Sequence, residues 1–183
     1  MPDALYFTDD AAANELLAKS PLALLIGFAL DQQVPVPTAF VGPRKLEQRL
    51  GGLDAKRIAR MDPGELEAAF REKPAVHRFP GNMARRVQEL CATIVDDYAG
   101  DAARVWTEAA DTEDLRERIG SLPGFGEMKI KALGSVLAKQ YGVEAAAGLV
   151  PDHPTLGDVD SREALERYQG WKREYKATLK TGR

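Results

Sequence analysis

An all-α protein is predicted, and three observations predict it. Apolar residues recur at helical spacing along most of the 183-residue chain, and period-2 alternation is scarce. Helix ends are marked: Asp62-Pro63-Gly64-Glu65 sets a capping Asp before a first-turn Pro, and Gly100 and Gly142 each follow an apolar stripe. The breakers gather in 34–44, 73–81 and 142–160, stretches short enough to be connections. Summed, these signals predict roughly eight to ten helices joined by short loops.

Taken in order, Pro21 opens a helix from Leu22 to about Val34 that is apolar nearly all round and so belongs at the centre of a bundle. After Gly81, Val87, Leu90, Cys91, Ile94, Val95 and Tyr98 fall on one stripe of one helix. Ile130, Leu133, Val136, Leu137 and Tyr141 make a second stripe. Asp160-Ser161-Arg162-Glu163 opens the last helix, with Asp160 as its cap and Leu165, Tyr168, Trp171, Tyr175 and Leu179 as its buried face. Between them, 145–160 carries Pro151, Pro154 and Gly157 and reads as the least regular part.

Composition narrows the function. With 44% hydrophobic and 29% charged residues the chain has the balance of a soluble globular protein. Its longest apolar run, Leu22 to Leu30, is under half of the roughly 20 residues a membrane span needs. No basic stretch leads into an apolar core at the N-terminus, so a cytoplasmic location and no membrane partner are expected. One cysteine, Cys91, permits neither an internal disulfide nor a multi-cysteine metal cluster. A net charge of −3 offers nucleic acid no global attraction, so any such partner must be held by local basic patches.

One segment points to such a patch. Leu122-Pro123-Gly124-Phe125-Gly126 leads into the basic amphipathic helix that begins Glu127-Met128-Lys129-Ile130-Lys131. The glycines allow a tight turn and leave no side chain between backbone and ligand. The N–H groups opening the next helix then form an anion site, with Lys129 and Lys131 beside it and Phe125 as anchor. Such an assembly suits one phosphate of a nucleic-acid backbone, gripped without reading a base. The bland alternative is a structural turn.

This hairpin resembles the helix-hairpin-helix element of the HhH-GPD superfamily of base-excision DNA glycosylases. The helix from Pro21 ends in Asp31-Gln32-Gln33, which resembles that family's glutamine loop. His77-Arg78-Phe79-Pro80-Gly81 resembles its short motif before a long helix. Order and spacing agree over about residues 20–142. The resemblance implies a two-lobed helical fold, with one lobe over 22–120 and the other formed by 1–21 and 121–183. It implies a monomer that acts on a damaged or mispaired base flipped from double-stranded DNA. Phosphate contacts carry over to Leu122, Gly124, Phe125, Gly126, Lys129 and Lys131, joined by Arg85 and Arg86. Gln32 and Gln33 would fill the space left by the flipped base, and Asp31, His77 and Met128 would face the base pocket. Arg85 and Arg86 have the plain alternative of a solvated face, Asp31 that of a helix-end cap, and His77 that of a packed group.

Two departures matter. Bifunctional relatives carry a lysine nucleophile two residues after the second hairpin glycine, where this chain has Met128. Lys129 stands one step later, rotated by about 100°, which favours a monofunctional glycosylase unless a register shift turns Lys129 inward. The family's aspartate is expected about 20 residues after the hairpin, where 145–148 holds no acid. Asp158 and Asp160 rank equal as candidates for it and Asp152 third, each with the plain alternative of a cap or a solvated acid. The iron–sulfur cluster of some relatives is excluded, since no cysteine follows Cys91. No metal or other cofactor is implied beyond a monovalent cation at the hairpin. Lys172, Lys176 and Lys180, with Arg173 and Arg183, form a C-terminal basic stripe suited to a DNA backbone. The rival to the glycosylase is a DNA-binding or damage-recognition module without catalysis. A weaker third reading is a protein-interaction domain.

Overall fold

The structure, a computed structural model, describes residues 1–182, so Arg183 of the basic stripe lies outside the described residues. Among the described residues there is no strand. The helices are α1 Ala11–Lys19, α2 Pro21–Leu30, α3 Val36–Leu50, α4 Ala55–Arg60, α5 Pro63–Arg71, α6 Pro80–Tyr98, α7 Arg104–Thr107, α8 Thr112–Gly120, α9 Glu127–Gln140 and α10 Arg162–Thr181. Short 3-10 turns at Glu144–Leu149 and Leu156–Asp158 give partial order to the stretch read as a loop.

Local chemistry explains the starts. Asp10, Ser20, Asp54, Asp62 and Asp111 each accept an N–H of the first turn of the helix they precede. The cap of α10 is Ser161, which accepts from Ala164 N, and not Asp160 as expected. The extended backbone at Ser161 places its hydroxyl over the first turn of the helix.

Two further expectations are corrected. Segment 34–44, read as a loop because of its breakers, is helical from Val36 onward, as the first part of α3. Pro37 lies in its first turn, where no N–H partner is needed, and Pro43 is held inside by the buried face of Phe40, Gly42 and Leu46, so packing overrides propensity. The helix before it ends at Leu30, not Val34: Asp31 leaves helical geometry at ψ 68° and Gln33 takes φ 59°.

Helices α1, α2 and α3 pack on one another, α6 packs on α2, and α4 and α5 pack along α6. A second group forms where α8, α9 and the two 3-10 turns meet. α1 touches both groups, since the Tyr141 hydroxyl at the end of α9 donates to Ala18 O at 2.9 Å. α2 is buried from Leu22 to Leu30, as its all-round apolarity requires. It crosses α3 so closely that a Cβ on Gly27 would stand 2.5 Å from Phe40 Cδ1, and one on Gly42 2.5 Å from Leu30 Cδ1. The Phe40 ring meets Phe28 and Phe7 edge-on. This crossing fixes both ends of the glutamine loop.

α10 departs furthest from its predicted face. Ala164 and Leu165 are buried, but Tyr175 is 51% and Leu179 58% exposed. The helix runs on past the body, so its aromatic stripe stacks on itself, with Trp171 between His153 and Tyr175.

Candidate nucleic-acid interface

The hairpin links α8 to α9. Leu122 and Phe125 are buried and pin it to the core, with Phe125 N donating to Leu122 O at 3.1 Å. Gly124 has φ +81°, a conformation that favours glycine. Gly126 does not need that freedom, at φ −92°, yet a Cβ there would meet nothing within 4 Å. Its bare backbone faces open space at the start of α9. That helix has no side-chain cap, so its first N–H groups are left for solvent or an anion. Glu127 pairs with Arg116 at 2.6 Å, and Lys131 stands 3.9 Å from the same carboxylate, so Lys131 belongs to this outer network.

The glutamine loop lies against the hairpin. Arg86, on α6, donates from Nη1 to Gln32 Oε1. Its side chain also closes over Gly124, where a Cβ would come within 2.9 Å of Arg86 Cδ. One guanidinium thus joins the loop to the turn. Gln32 and Gln33 are both exposed, and Gln33 holds a left-handed backbone that a side-chain-bearing residue seldom adopts. Beneath them His77 is buried. Its Nδ1 accepts Phe79 N–H at 3.0 Å, which leaves the Nε2 proton to be donated to Gln32 O, also at 3.0 Å. Burial pulls the imidazole below its ordinary pKa against the Gln32 and Leu30 backbone, which favours the charged ring, and the charges of Arg78 and Lys129 press the same way as burial. His77 is therefore the neutral floor of the loop and does not line an open pocket.

Three concavities meet at this loop. One of about 390 Å³ runs between Gln32, Gln33, Phe79, Arg85 and Arg86. One of about 660 Å³ lies along the hairpin from Gln32 to Met128 and Lys129. A third, also about 660 Å³, separates the loop from α10 and is lined by Asp31, Gln33, Arg78, Lys172, Arg173 and Lys176.

Asp31 and Lys129 stand at the inner side of these grooves. Lys129 turns inward and is partly buried, its Nζ 3.4 Å from Ala29 O at the carbonyl end of α2 and 5.7 Å from the centre of the Phe125 ring. Burial lowers its pKa, against the pull of Asp31 and with the push of Arg86. Burial raises the Asp31 carboxyl, against the charges of Lys172, Lys129 and Lys176. Tyr168, whose hydroxyl burial pushes up to about 12, feels the Asp31 charge as well. Met128 points the other way, 85% exposed on the hairpin groove.

None of the three acids expected after the hairpin is among the residues lining these three grooves. Asp158 closes the 3-10 turn by accepting Thr155 N at 3.0 Å and pairs with Lys139 at 2.5 Å, near the far end of α9. Burial works against its charge, yet the Lys139 ammonium and the Thr155 N–H hold its carboxyl below the usual carboxylate range. Asp160 and Asp152 are exposed. Phe79 was missed: it is 38% exposed beside the glutamines, with the Arg78 guanidinium 4.8 Å from its ring centre. Its place in the His-Arg-Phe-Pro-Gly segment was the available signal.

A glycine hairpin between two helices, open at the N-terminus of the second, is a helix-hairpin-helix, and here it is coupled through Arg86 to a glutamine loop. The family model described as HhH-GPD superfamily base excision DNA repair protein matches residues 26–182, and the chain belongs to that superfamily. No curated protein and no solved structure matches the chain.

Proposed function

We propose that this protein is a monofunctional DNA glycosylase that works as a monomer, hydrolysing the N-glycosidic bond of a damaged or mispaired base flipped from duplex DNA. The family supports a role in base-excision repair. The observation that carries the finer reading is the joint between loop and hairpin through Arg86. A backbone phosphate held at Gly124, Gly126 and the opening of α9 places the duplex against Gln32 and Gln33. Extruding a base costs a few kcal/mol, and a glutamine inserted in its place keeps the stack from closing. Arg85 and Lys131 add charge at the rim. The nucleotide enters between the two lobes, toward Asp31.

A specific observation favours a second reading. Lys129, not Met128, faces inward with a lowered pKa, as a lysine nucleophile requires. Attack by its amine on C1′, with the C1′–N bond breaking and the base leaving with that electron pair, would make the protein a lyase as well.

The test is single-turnover base release from duplexes carrying uracil, hypoxanthine, 3-methyladenine, 8-oxoguanine or an oxidised pyrimidine, with borohydride added in parallel. Release from one duplex, reduced in Gln33→Ala and without a trapped complex, is the expected result. A borohydride-trapped complex lost in Lys129→Gln establishes the lyase reading instead. Silence across the panel with salt-sensitive duplex binding intact makes the protein a damage-recognition module.

A further inference from the structure

We infer that the carboxylate facing the positive charge that develops on the sugar is Asp31, at the end of α2, and that no acid after the hairpin serves this role. The inference rests on the glycosylase reading above.

Three observations carry it. The first is what the acids are already bound to. Asp158 is held by Lys139 and by the Thr155 N–H. Asp10, Asp54, Asp62 and Asp111 cap helices, and Asp114 pairs with Arg118. Asp31 is half-buried and, among the described residues, its carboxylate takes no hydrogen bond and no ion pair, although Lys129, Lys172 and Lys176 all lie within reach of its charge. A desolvated carboxylate with no partner is costly unless something else uses it.

The second is position. Asp31 adjoins Gln32 and Gln33 directly and lines the groove between the loop and α10. A nucleotide displaced by a glutamine of this loop therefore arrives beside it. Asp158 lies against Lys139, ten residues along α9 from Lys129, or roughly 15 Å at helical rise.

The third is electrostatic sense. Four cations, Arg78, Lys172, Arg173 and Lys176, line the groove with it. An acid among them subtracts from attraction to DNA. Its negative charge becomes useful only where positive charge appears, at the oxocarbenium-like sugar as the bond breaks. In that step the water oxygen bonds to C1′ and the C1′–N bond breaks, its electron pair leaving with the base. The proton lost by water passes to Asp31, and the released base takes a proton from the medium. A carboxyl raised by burial suits that proton transfer.

The experiment needs no knowledge of the base. Duplex affinity is measured for a cationic pyrrolidine abasic-site mimic and for a neutral tetrahydrofuran one. The expected result is a wild-type preference for the cationic duplex on the order of 10²-fold, as transition-state mimicry allows. Asp31→Asn should lose it while still binding the tetrahydrofuran duplex, and Asp31→Glu should recover part of it. A preference that survives in Asp31→Asn, or one that disappears instead in Asp158→Asn or Asp160→Asn, overturns the assignment and leaves the glycosylase reading standing. If the wild type binds neither duplex in a salt-sensitive way, the functional reading falls, and this assignment with it.

Discussion

A proton on His77 would remove the floor of the glutamine loop. Nδ1 must stay unprotonated to accept Phe79 N–H, and burial favours the neutral ring. The folded chain therefore binds this proton less readily than the unfolded chain, whose imidazole titrates near 6.5. Where the unfolded state binds more protons, stability rises with pH. The contribution is complete above pH 6.5 and is lost as pH falls from there through the lower folded value. Thermal melts of the wild type should show a loss of stability over that range that His77→Asn lacks; parallel profiles for the two would reject this role. The segment holding His77 was recognisable in sequence, but its direction was not. A lone histidine in a motif fits a pocket wall and a buried brace equally well until its two nitrogens have partners. Lys129 is similar: its step past the expected nucleophile position was readable, while the side to which that step turns it depends on how α9 docks.

At the scale of elements, the two hairpin glycines answer different needs and should fail differently. Gly124→Ala places a Cβ at φ +81° against Arg86, which costs about 1–2 kcal/mol in backbone conformation alone. Urea melts should show that loss. Gly126→Ala has free space and ordinary φ, so stability should stay within about 0.5 kcal/mol. Its methyl nevertheless stands where a phosphate must approach, and duplex affinity should fall about tenfold, equivalent to roughly 1.4 kcal/mol. Equal affinity for wild type and Gly126→Ala would refute backbone gripping at this turn. The α6 stripe and the hairpin were legible because each is set by a local period or turn. α3 was not, because Pro37 and Pro43 are breakers by propensity and are held by packing with α2. Nor was the position of the acids, since counting residues along 145–160 cannot show that Lys139 already holds Asp158.

For the whole molecule, a net charge of −3 coexists with Arg78, Arg85, Arg86, Lys129, Lys172, Arg173 and Lys176 around one loop. Duplex binding should therefore be weak and steeply salt-dependent, and Lys172→Ala with Lys176→Ala should flatten the log–log slope by about two units. An unchanged slope would take α10 out of the DNA contact. The aromatic stripe of that helix was readable as a period, but a period does not say whether anything covers it. Cys91 is fully buried in α6 and burial pushes its thiol up to about 12, so it is inert to alkylating reagents at neutral pH. Met128 is 85% exposed on the hairpin groove. Met128→Cys thus provides a single addressable thiol in an otherwise silent background, and a fluorophore there would report in real time when the hairpin meets a DNA backbone.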